Sequence, residues 1–335
     1  MRAAVVHEHG DVERIRLEDF PKPSARPGWV VLRVRATSLN FHDIFSRRGM
    51  PGIKLPLPII IGSDIAGEIV ELGAGVTGWS LGDRVLVDPM PIPETDHKFI
   101  GEQFHGGRAE YCEAHSKMLL KLPAEVGFEE AASIPLAYAT AYRMMNTRGG
   151  VKAGETVLVL GASGGVGTAC VLLAKLAGAT VIACAGSDEK GARLREIGAD
   201  HVVNYRSGSM REAVWGIVGK PKVIGTGGVD VAVNFTGGRT WKDTLRCVKL
   251  GGRMLTCGAT AGFEEEVDVR YVWSFEHTIV GSDGWRRPDI EALVELARTR
   301  RLVPVVEKVL PLASVHEAEG LLESREAFGK IVLVP

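Results

Sequence analysis

A glycine-rich segment in the middle of the chain is the sequence feature that most restricts the possible folds. Residues 157–160 read Val-Leu-Val-Leu, which is typical of a buried strand, and residues 161–167 continue as Gly-Ala-Ser-Gly-Gly-Val-Gly. This order, a strand followed by a tight turn and then the start of a helix, matches the phosphate-binding turn of dinucleotide-binding proteins. Ala162 stands in place of the first glycine of that motif. Helix-start N–H groups can hold a diphosphate there. The predicted dinucleotide contacts are Ala162, Ser163, Gly164, Gly165, Val166 and Gly167.

The chain on either side of this turn has two different patterns. Residues 1 to about 120 alternate short apolar runs with Gly and Pro, which predicts a β-rich domain with strands such as 30–36. From about residue 125, apolar runs alternate with helical segments, as expected for crossover helices between the strands of a parallel sheet. A helix at 289–299 and a strand at 329–334 are expected to return to the first domain. The predicted fold class is therefore α/β, a β-rich domain plus a Rossmann doubly wound parallel sheet.

Composition and charge exclude several classes of function. The chain has 335 residues, 45% apolar and 24% charged, with a net charge of −1, so neither a nucleic acid nor an anionic membrane is an expected partner. The five cysteines include no Cys-x-x-Cys pair, which argues against a disulfide framework and favours a reducing compartment. No apolar run approaches the roughly 18 residues of a membrane helix, and the N-terminal run is too short for a signal peptide. A cytoplasmic protein that binds a small molecule is the expectation.

The end of the second strand of the sheet distinguishes NAD from NADP. An NAD site places an acid there to bind the ribose 2′-hydroxyl, but residues 184–187 read Cys-Ala-Gly-Ser, and Asp188 follows as a helix cap. Without a carboxylate at the strand end, the pocket can accept a 2′-phosphate. The predicted cofactor is therefore NADP(H). The side chains expected around its phosphate are Ser187, Lys190, Tyr205 and Arg206.

Several short segments occur in the order found in one enzyme family. They are residues 39–43 with Arg48-Gly49, and 61–67, 82–85, 106–111, 131–142, 203–206 and 329–332. In this order they resemble the medium-chain dehydrogenase/reductase superfamily over essentially the whole chain, and within it the zinc-free quinone oxidoreductase branch. The resemblance implies a GroES-like catalytic domain of residues 1–122 and 268–335, a Rossmann NADP-binding domain of residues 123–267, and an active site in the cleft. It also implies a homodimer or homotetramer formed partly through the sheet edge near residues 277–280.

The resemblance also bears on metal binding. Zinc alcohol dehydrogenases of the superfamily carry Cys where this chain has Asn40 and His where it has Ser63, and segment 88–106 has no cysteine for their structural zinc lobe. No metal site is therefore predicted. Without a Lewis acid, hydride transfer to a quinone, or to the activated C=C of an enone, enal or short enoyl thioester, is favoured. The alternatives are an alcohol dehydrogenase of the same superfamily with a non-standard metal site, and a dinucleotide-carrying protein without turnover.

The resemblance assigns catalytic roles to Asn40 and Asp43. Asn40 is expected to donate a hydrogen bond to the substrate or to hold the nicotinamide ribose, with a turn-capping Asn as the alternative. Asp43 is expected to order its segment or to contact the nicotinamide side, with an acid at a helix start as the alternative. Met50 stands near the position of the catalytic Tyr of enoyl-thioester reductases. The proton is therefore expected from solvent or from His42, which can titrate near neutrality unless it is a structural histidine.

Further nicotinamide contacts are expected outside the turn. The backbone at Cys257-Gly258 and at Ser282 ends two strands on the ligand side of the sheet. Thr140 resembles a family position near the nicotinamide, although it is equally compatible with a plain helical threonine. Lys330 is a further candidate, with a solvated strand residue as its alternative. Residues 216–228 have no assigned role.

Overall fold

The computed structural model describes residues 1–50, 52 and 54–335, and these form two compact units. Unit 1 consists of residues 1–137 and 286–335, and unit 2 of residues 138–285. Both divisions lie later in the chain than the expected domain limits at 122/123 and 267/268. A helix at Phe128–Ala132 packs on strands of unit 1, and a strand at Thr278–Gly281 pairs within the sheet of unit 2, which explains both differences.

The strands of the described residues alternate with helices mainly in unit 2. They are β1 (Arg2–Val6), β2 (Ile15–Asp19), β3 (Trp29–Ser38), β4 (Ile59–Ile60), β5 (Asp64–Leu72), β6 (Arg84–Val87), β7 (Tyr111–His115), β8 (Leu119–Lys121), β9 (Thr156–Val159), β10 (Thr180–Ala185), β11 (His201–Asn204), β12 (Val229–Val233), β13 (Val248–Thr256), β14 (Thr278–Gly281), β15 (Val306–Pro311) and β16 (Lys330–Val334).

The helices of the described residues include two π-helical turns. The α-helices are α1 (Phe41–Arg48), α2 (Phe128–Ala132), α3 (Ala139–Tyr142), α4 (Gly165–Leu176), α5 (Asp188–Glu196), α6 (Met210–Val218), α7 (Thr240–Leu245), α8 (Val269–Ser274), α9 (Arg287–Arg298) and α10 (Val315–Glu323). The π-helical turns are Ile134–Tyr138 and Arg143–Arg148, and 3₁₀ turns occur at Val12–Arg14, Pro93–Thr95, Ser116–Met118 and Leu312–Ser314. No helix in the described ranges is long and apolar enough to cross a membrane.

Unit 1 is built from two sheets, as far as its described residues show. The smaller has the order β2-β1-β4, and the larger runs β15-β16-β3-β5-β6-β8, with β7 also paired to β3. Side chains from one face of β3 and β5, including Val30, Leu32 and Ile65, form one core. A second core joins β16 to α10 through Leu333 and Val315. The central position of β3 brings its end beside the starts of β5 and β16.

Unit 2 is a parallel sheet with crossover helices. Its described strands have the order β11-β10-β9-β12-β13-β14, and every neighbouring pair is parallel. The order reverses direction at β9, so the turn after this strand lies at the point where such sheets bind ligands. The predicted α/β class, a β-rich domain plus a doubly wound parallel sheet, is confirmed.

Two helical regions show features that local sequence patterns describe only in part. Residues 128–146 have helical spacing interrupted by Pro135, and they form α2, a π-helical turn that contains Pro135, then α3 and a second π-helical turn. Helix α1 matches the alternative given for Asp43, an acid at a helix start, although its polar composition gives no strong apolar periodicity. It begins where the Asp43 carboxylate accepts the N–H of Asn40 at 2.9 Å, and it ends at Gly49 with φ of +82°.

Candidate functional site

The glycine-rich turn of unit 2 connects strand β9 to helix α4. The N–H of Gly164 bonds to the carbonyl of Gly161 at 3.2 Å, and Gly161 has φ of +61°, so the turn closes tightly before the helix. Thr168 donates the first N–H bond at the helix start, to Gly164 O at 2.8 Å. Earlier N–H groups have no acceptor within the helix and can bind an anion. These groups belong to Gly165, Val166 and Gly167.

The turn is most closely packed at Gly167, where the structure leaves no room for a side chain. A Cβ atom at Gly167 would lie 2.2 Å from Gly161 O and 2.6 Å from the Cα of Ala162. A Cβ atom at Gly164 would meet nothing nearer than Gly161 O, at 3.7 Å. Ala162 is buried, whereas Ser163 is partly exposed. The predicted turn residues therefore form one cradle, and its close backbone packing fits the diphosphate of a dinucleotide.

The end of β10 leads into the Ser187 cap of α5, one residue before the first acid, Asp188. Ser187 caps α5, since its Oγ accepts the N–H of Lys190 at 3.2 Å. The carboxylate of Asp188 instead accepts the amide N–H of Asn204 at 2.9 Å. A Cβ atom at Gly186 would lie 2.7 Å from the hydroxyl of Tyr205 and 3.4 Å from the Nε of Arg206. The phenol and the guanidinium therefore approach Gly186 closely, beside the Ser187 cap.

Two further strand ends of unit 2 lie side by side. The N–H of Ser282 bonds to Thr256 O at 2.9 Å, which ties the end of β14 to that of β13. The hydroxyl of Ser282 is buried and has no hydrogen-bond partner among the described residues. Cys257 is half-buried and Gly258 is exposed. Thr140 is buried in α3, which packs on α4. These four residues stay predicted cofactor contacts.

In unit 1, three neighbouring strands bring Asn40, Asp64 and Lys330 together. β3 ends at Ser38, opposite Asp64 at the start of β5, and β16 begins with Lys330 on the other side of β3. The Nδ2 of Asn40 donates to Asp64 Oδ2 at 2.8 Å, and its Oδ1 accepts from the Lys330 ammonium at 2.5 Å. The exposed fractions of Asn40, Asp64 and Lys330 are 5%, 0% and 2%.

These contacts fix the orientation of the Asn40 amide. An ammonium group only donates hydrogen bonds and a carboxylate only accepts them. A flipped Asn40 amide would place its NH₂ group against the Lys330 ammonium and its oxygen against the Asp64 carboxylate, and neither contact could form a hydrogen bond. Nδ2 has a second N–H that the contact with Asp64 does not use. Asn40 is also the N-cap residue of α1, where the Asp43 carboxylate accepts its N–H, so the capping alternative holds beside the side-chain bonds to Asp64 and Lys330.

The ammonium group of Lys330 is buried against protein acceptors, whereas the sequence analysis expected it to contact the nicotinamide. Its Nζ bonds to Leu39 O at 2.8 Å and to Asp64 Oδ2 at 3.3 Å, in addition to Asn40. Three acceptors match the three ammonium protons, so none is left for a cofactor. Burial lowers the pKa of Lys330, although Asp64 opposes this effect. The expected contact with the nicotinamide is therefore replaced by a role in orienting Asn40.

Asp43 belongs to a buried ionic network. Its Oδ2 accepts from Arg108 Nη2 at 2.9 Å, and Arg108 also pairs with Glu319. Arg47 binds the other oxygen of Glu319 at 3.1 Å and continues to Glu323. Burial raises the pKa of Asp43 more than Arg108 lowers it. Asp43 therefore orders its segment through Arg108, and it is also the acid at the start of α1, as its alternative expected.

His42 pairs with an acid that the sequence analysis did not identify. Its Nε2 forms an ion pair with Glu102, and its ring packs edge-on against Phe99 at 5.5 Å. Glu102 also accepts from Ser46 Oγ at 2.9 Å and from Gln103 Nε2 at 3.1 Å. Burial alone would lower the pKa of His42, but Glu102, with smaller contributions from Asp43 and Asp64, raises it. The same partners hold the pKa of Glu102 below its usual range despite its own burial.

The described part of the chain contains no group of three His, Cys, Asp or Glu side chains placed to bind a metal ion. Ser63 is buried, and its hydroxyl has no hydrogen-bond partner among the described residues. The oxygens of Asp64 accept from Ser38 Oγ at 2.7 Å and from the N–H of Leu136 at 2.9 Å, besides the Asn40 amide. Asp64, which accepts from the Asn40 amide, is therefore already bound by several protein donors.

Comparison with known proteins identifies both halves of the chain. The family described as "Alcohol dehydrogenase GroES-like domain" matches residues 26–124, and the family described as "Zinc-binding dehydrogenase" matches residues 165–299. The chain is 30% identical to the quinone oxidoreductase of Homo sapiens over 342 residues, covering 100% of this chain and 98% of that protein. It is 28% identical to the acryloyl-coenzyme A reductase of Metallosphaera sedula, covering 99% of each.

A solved structure has the same architecture over the full length. The crystal structure of an NAD-dependent alcohol dehydrogenase superposes with a TM-score of 0.91 and 34% sequence identity, covering 100% of both chains. The matching relatives therefore bear the names of quinone, enoyl-thioester and alcohol oxidoreductases. The nature of the substrate has to be argued from the residues.

Proposed function

Because the chain belongs to the medium-chain dehydrogenase/reductase superfamily and is quinone oxidoreductase-like, we propose that it is an NADPH-dependent reductase of a quinone or an activated C=C that works without zinc. The observation that carries the proposal is the fixed Asn40 amide, held between Lys330 and Asp64 where a zinc enzyme would need metal ligands. Reduced nicotinamide supplies a hydride. The chain has to bind the dinucleotide, orient the substrate and stabilise the negative charge that forms on the substrate oxygen.

Asn40 performs the last of these tasks in our proposal. Its amide is oriented before the substrate binds, so its unused N–H does not need to reorganise when charge forms on a quinone or enolate oxygen. The positive charge of Lys330, bound to Oδ1, polarises the amide and strengthens that N–H as a donor. Removal of one such donor typically costs about 10²–10³ in turnover.

NADPH is favoured over NADH by the end of β10. Asp188, the first acid after the strand, is bonded to Asn204, while Tyr205 and the exposed Arg206 lie beside Gly186. A guanidinium matches a phosphate in charge and geometry, whereas a ribose 2′-hydroxyl has no acid to receive its proton. Ser187 and Lys190 supply further donors at the same strand end.

Turnover assays of the purified protein test this proposal. NADPH oxidation should accelerate with trans-2-hexenal, an enone, a quinone or an acryloyl thioester, and metal analysis should find no stoichiometric zinc. The second candidate is an alcohol dehydrogenase, which the name of the structural neighbour favours. NAD⁺-linked oxidation of simple alcohols, abolished by a chelator, would support that candidate and contradict zinc-free reduction.

We propose a homodimer or homotetramer formed partly through the open edge of the unit 2 sheet. β14 ends the sheet, and its residues Thr278, Ile279 and Gly281 are exposed. An open strand edge pairs readily with a second copy. Ile279→Lys should shift the protein towards a smaller species in analytical ultracentrifugation, whereas Val70→Lys should not. Val70 is similarly exposed but lies on β5, between β3 and β6. Equal masses of both variants and the wild type would contradict this interface.

We also propose a cytoplasmic location. Cys112, Cys170, Cys184, Cys247 and Cys257 are all free thiols. Free thiols persist in reducing compartments.

A further inference from the structure

His42 lies two residues after Asn40 and forms an ion pair with Glu102, which the proposed reduction leaves unused. Both carboxylate oxygens of Glu102 have donors, since Ser46 and His42 share Oε1 and Gln103 binds Oε2. The acid is therefore held in place against the ring. The side chain of His42 is 34% exposed and that of Glu102 is 10% exposed. One face of the pair is thus open to water while the carboxylate is shielded from it.

The two ring nitrogens of His42 have different surroundings. Nε2 is in ion-pair contact with the Glu102 carboxylate but is not well aligned for a hydrogen bond to it. No hydrogen bond to Nδ1 occurs among the described residues. A carboxylate on one nitrogen stabilises the imidazolium and leaves the other N–H to act as an acid, as in a catalytic triad. The charged groups acting on the ring are Glu102 from the loop, Asp43 from α1 and Asp64 from β5, and all three are acidic.

We propose that His42 is the general acid that protonates the α-carbon of the reduced alkene, and that Glu102 is the positioning residue that keeps it charged. This proposal rests on the proposed function, the reduction of an activated C=C. It also implies that the substrates are activated alkenes rather than quinones. Protonation at carbon is slow without a positioned acid, whereas a hydroquinone oxygen exchanges protons with water directly.

The step balances in atoms and electrons. The hydride from reduced nicotinamide forms a C–H bond at the β-carbon, and the electron pair of the alkene moves onto the substrate as an enolate. The Nδ1–H bond of His42 then breaks and its proton forms the C–H bond at the α-carbon. The nicotinamide is oxidised, the alkene is reduced, and the neutral imidazole recovers a proton from water.

Histidine-ring NMR of the unliganded, full-length protein tests the pair without any cofactor. His42 should titrate above the ordinary value of about 6.5, and Glu102→Gln should lower its midpoint by about one pH unit or more. The matched control is the surface pair His7 and Glu18, at 2.9 Å with exposed fractions of 36% and 33%. Glu18→Gln should leave the titration of His42 unchanged. A His42 midpoint at or below 6.5, or one insensitive to Glu102→Gln, would overturn the proposal.

Turnover with two probes tests the proton transfer. For His42→Asn, the ratio of kcat for trans-2-hexenal to kcat for 1,4-naphthoquinone should fall at least tenfold, and His7→Gln should keep the wild-type ratio. The wild-type hexenal rate should fall as the pH rises through the pKa of His42, because the acid must carry its proton. In Glu102→Gln this fall should begin at lower pH. An unchanged ratio and pH profile in both variants would overturn the role of His42.

The two proposals fail in different ways. If the wild type oxidises NADPH with neither probe, the proposed function fails, and the proton role fails with it. If the wild type turns over hexenal and His42→Asn retains the wild-type ratio, only the proton role fails. Thermal unfolding of each variant confirms that the compared proteins are folded, and Glu102→Gln provides an independent test should His42→Asn not fold.

Discussion

Lys330 donates to the side-chain oxygen of Asn40 at 2.5 Å, although the two residues are 290 positions apart in the chain. The contact exists because β3 and β16 are neighbours in the sheet of unit 1. It determines which end of the amide faces Asp64. The donor that we assign to the substrate therefore depends on a lysine that itself has no proton left for any ligand.

Lys330→Met should damage both stability and turnover. The substitution removes the partner of the buried Asp64 charge and the donor to Leu39 O, which should cost about 3–5 kcal/mol in the free energy of unfolding. Turnover should fall roughly tenfold or more as the Asn40 amide loses its orientation. Urea unfolding and steady-state assays measure both effects. Lys308→Met is the control, since Lys308 lies on the surface in an ion pair with Glu317 and should cost less than about 1 kcal/mol.

Arg108→Met should destabilise unit 1 more than any surface arginine does. Arg108 is fully buried between Asp43 and Glu319, and its loss leaves two buried carboxylates without that partner. We expect a loss of about 3–5 kcal/mol in denaturant unfolding. Arg14→Met, which removes an exposed ion pair with Glu8, should cost less than about 1 kcal/mol. Equal losses in the two variants would show that the buried network contributes little.

Gly167→Ala should destabilise unit 2, whereas Gly164→Ala should be nearly neutral for stability. The new methyl group at 167 would lie 2.2 Å from a backbone oxygen and must push α4 away from β9, at a cost of about 1–3 kcal/mol. At 164 the nearest atom is 3.7 Å away, and its φ of −84° suits alanine. Thermal unfolding of the two variants measures the difference. Similar unfolding temperatures would mean that the close approach at 167 is relaxed.

Arg206→Ser should reduce the preference for NADPH over NADH. A charge-assisted bond to the 2′-phosphate contributes about 1.5–3 kcal/mol, so NADPH affinity should fall tenfold or more while NADH affinity changes little. Fluorescence titration with each nucleotide measures the ratio. Arg211→Ser is the control, because Arg211 pairs with Asp243 on α7 in the same unit. An equal loss for both nucleotides would place Arg206 away from the 2′ position.

The local part of the site could be predicted from the sequence, and the long-range part could not. The turn at 161–167 is specified by neighbouring residues, because the strand, the small residues and the helix start are contiguous. The strand predicted at 329–334 is found at Lys330–Val334 for the same reason. Asn40 was found through its motif, but the partners that give it an orientation come from β5 and β16, so local patterning has no signal for them.

The residues that were missed are charged groups whose partners are distant in sequence. Glu102 lies in a loop and meets Ser46, which is 56 positions away, and Glu319 meets Arg108, which is 211 positions away. In sequence each is typical of a solvated acid. Only the excess of arginines around residues 47, 48 and 108 could have suggested buried acids nearby. Lys330 was assigned to the cofactor for the same reason, because its burial depends on sheet neighbours.

The most direct test of the account is calorimetric titration of the wild-type protein with NADPH and with NADH at the same pH and salt concentration. We predict that NADPH binds at least about tenfold more tightly, since a 2′-phosphate can reach Arg206 while the 2′-hydroxyl finds no acid at the end of β10. Tighter binding of NADH, or no binding of either nucleotide, would contradict the account.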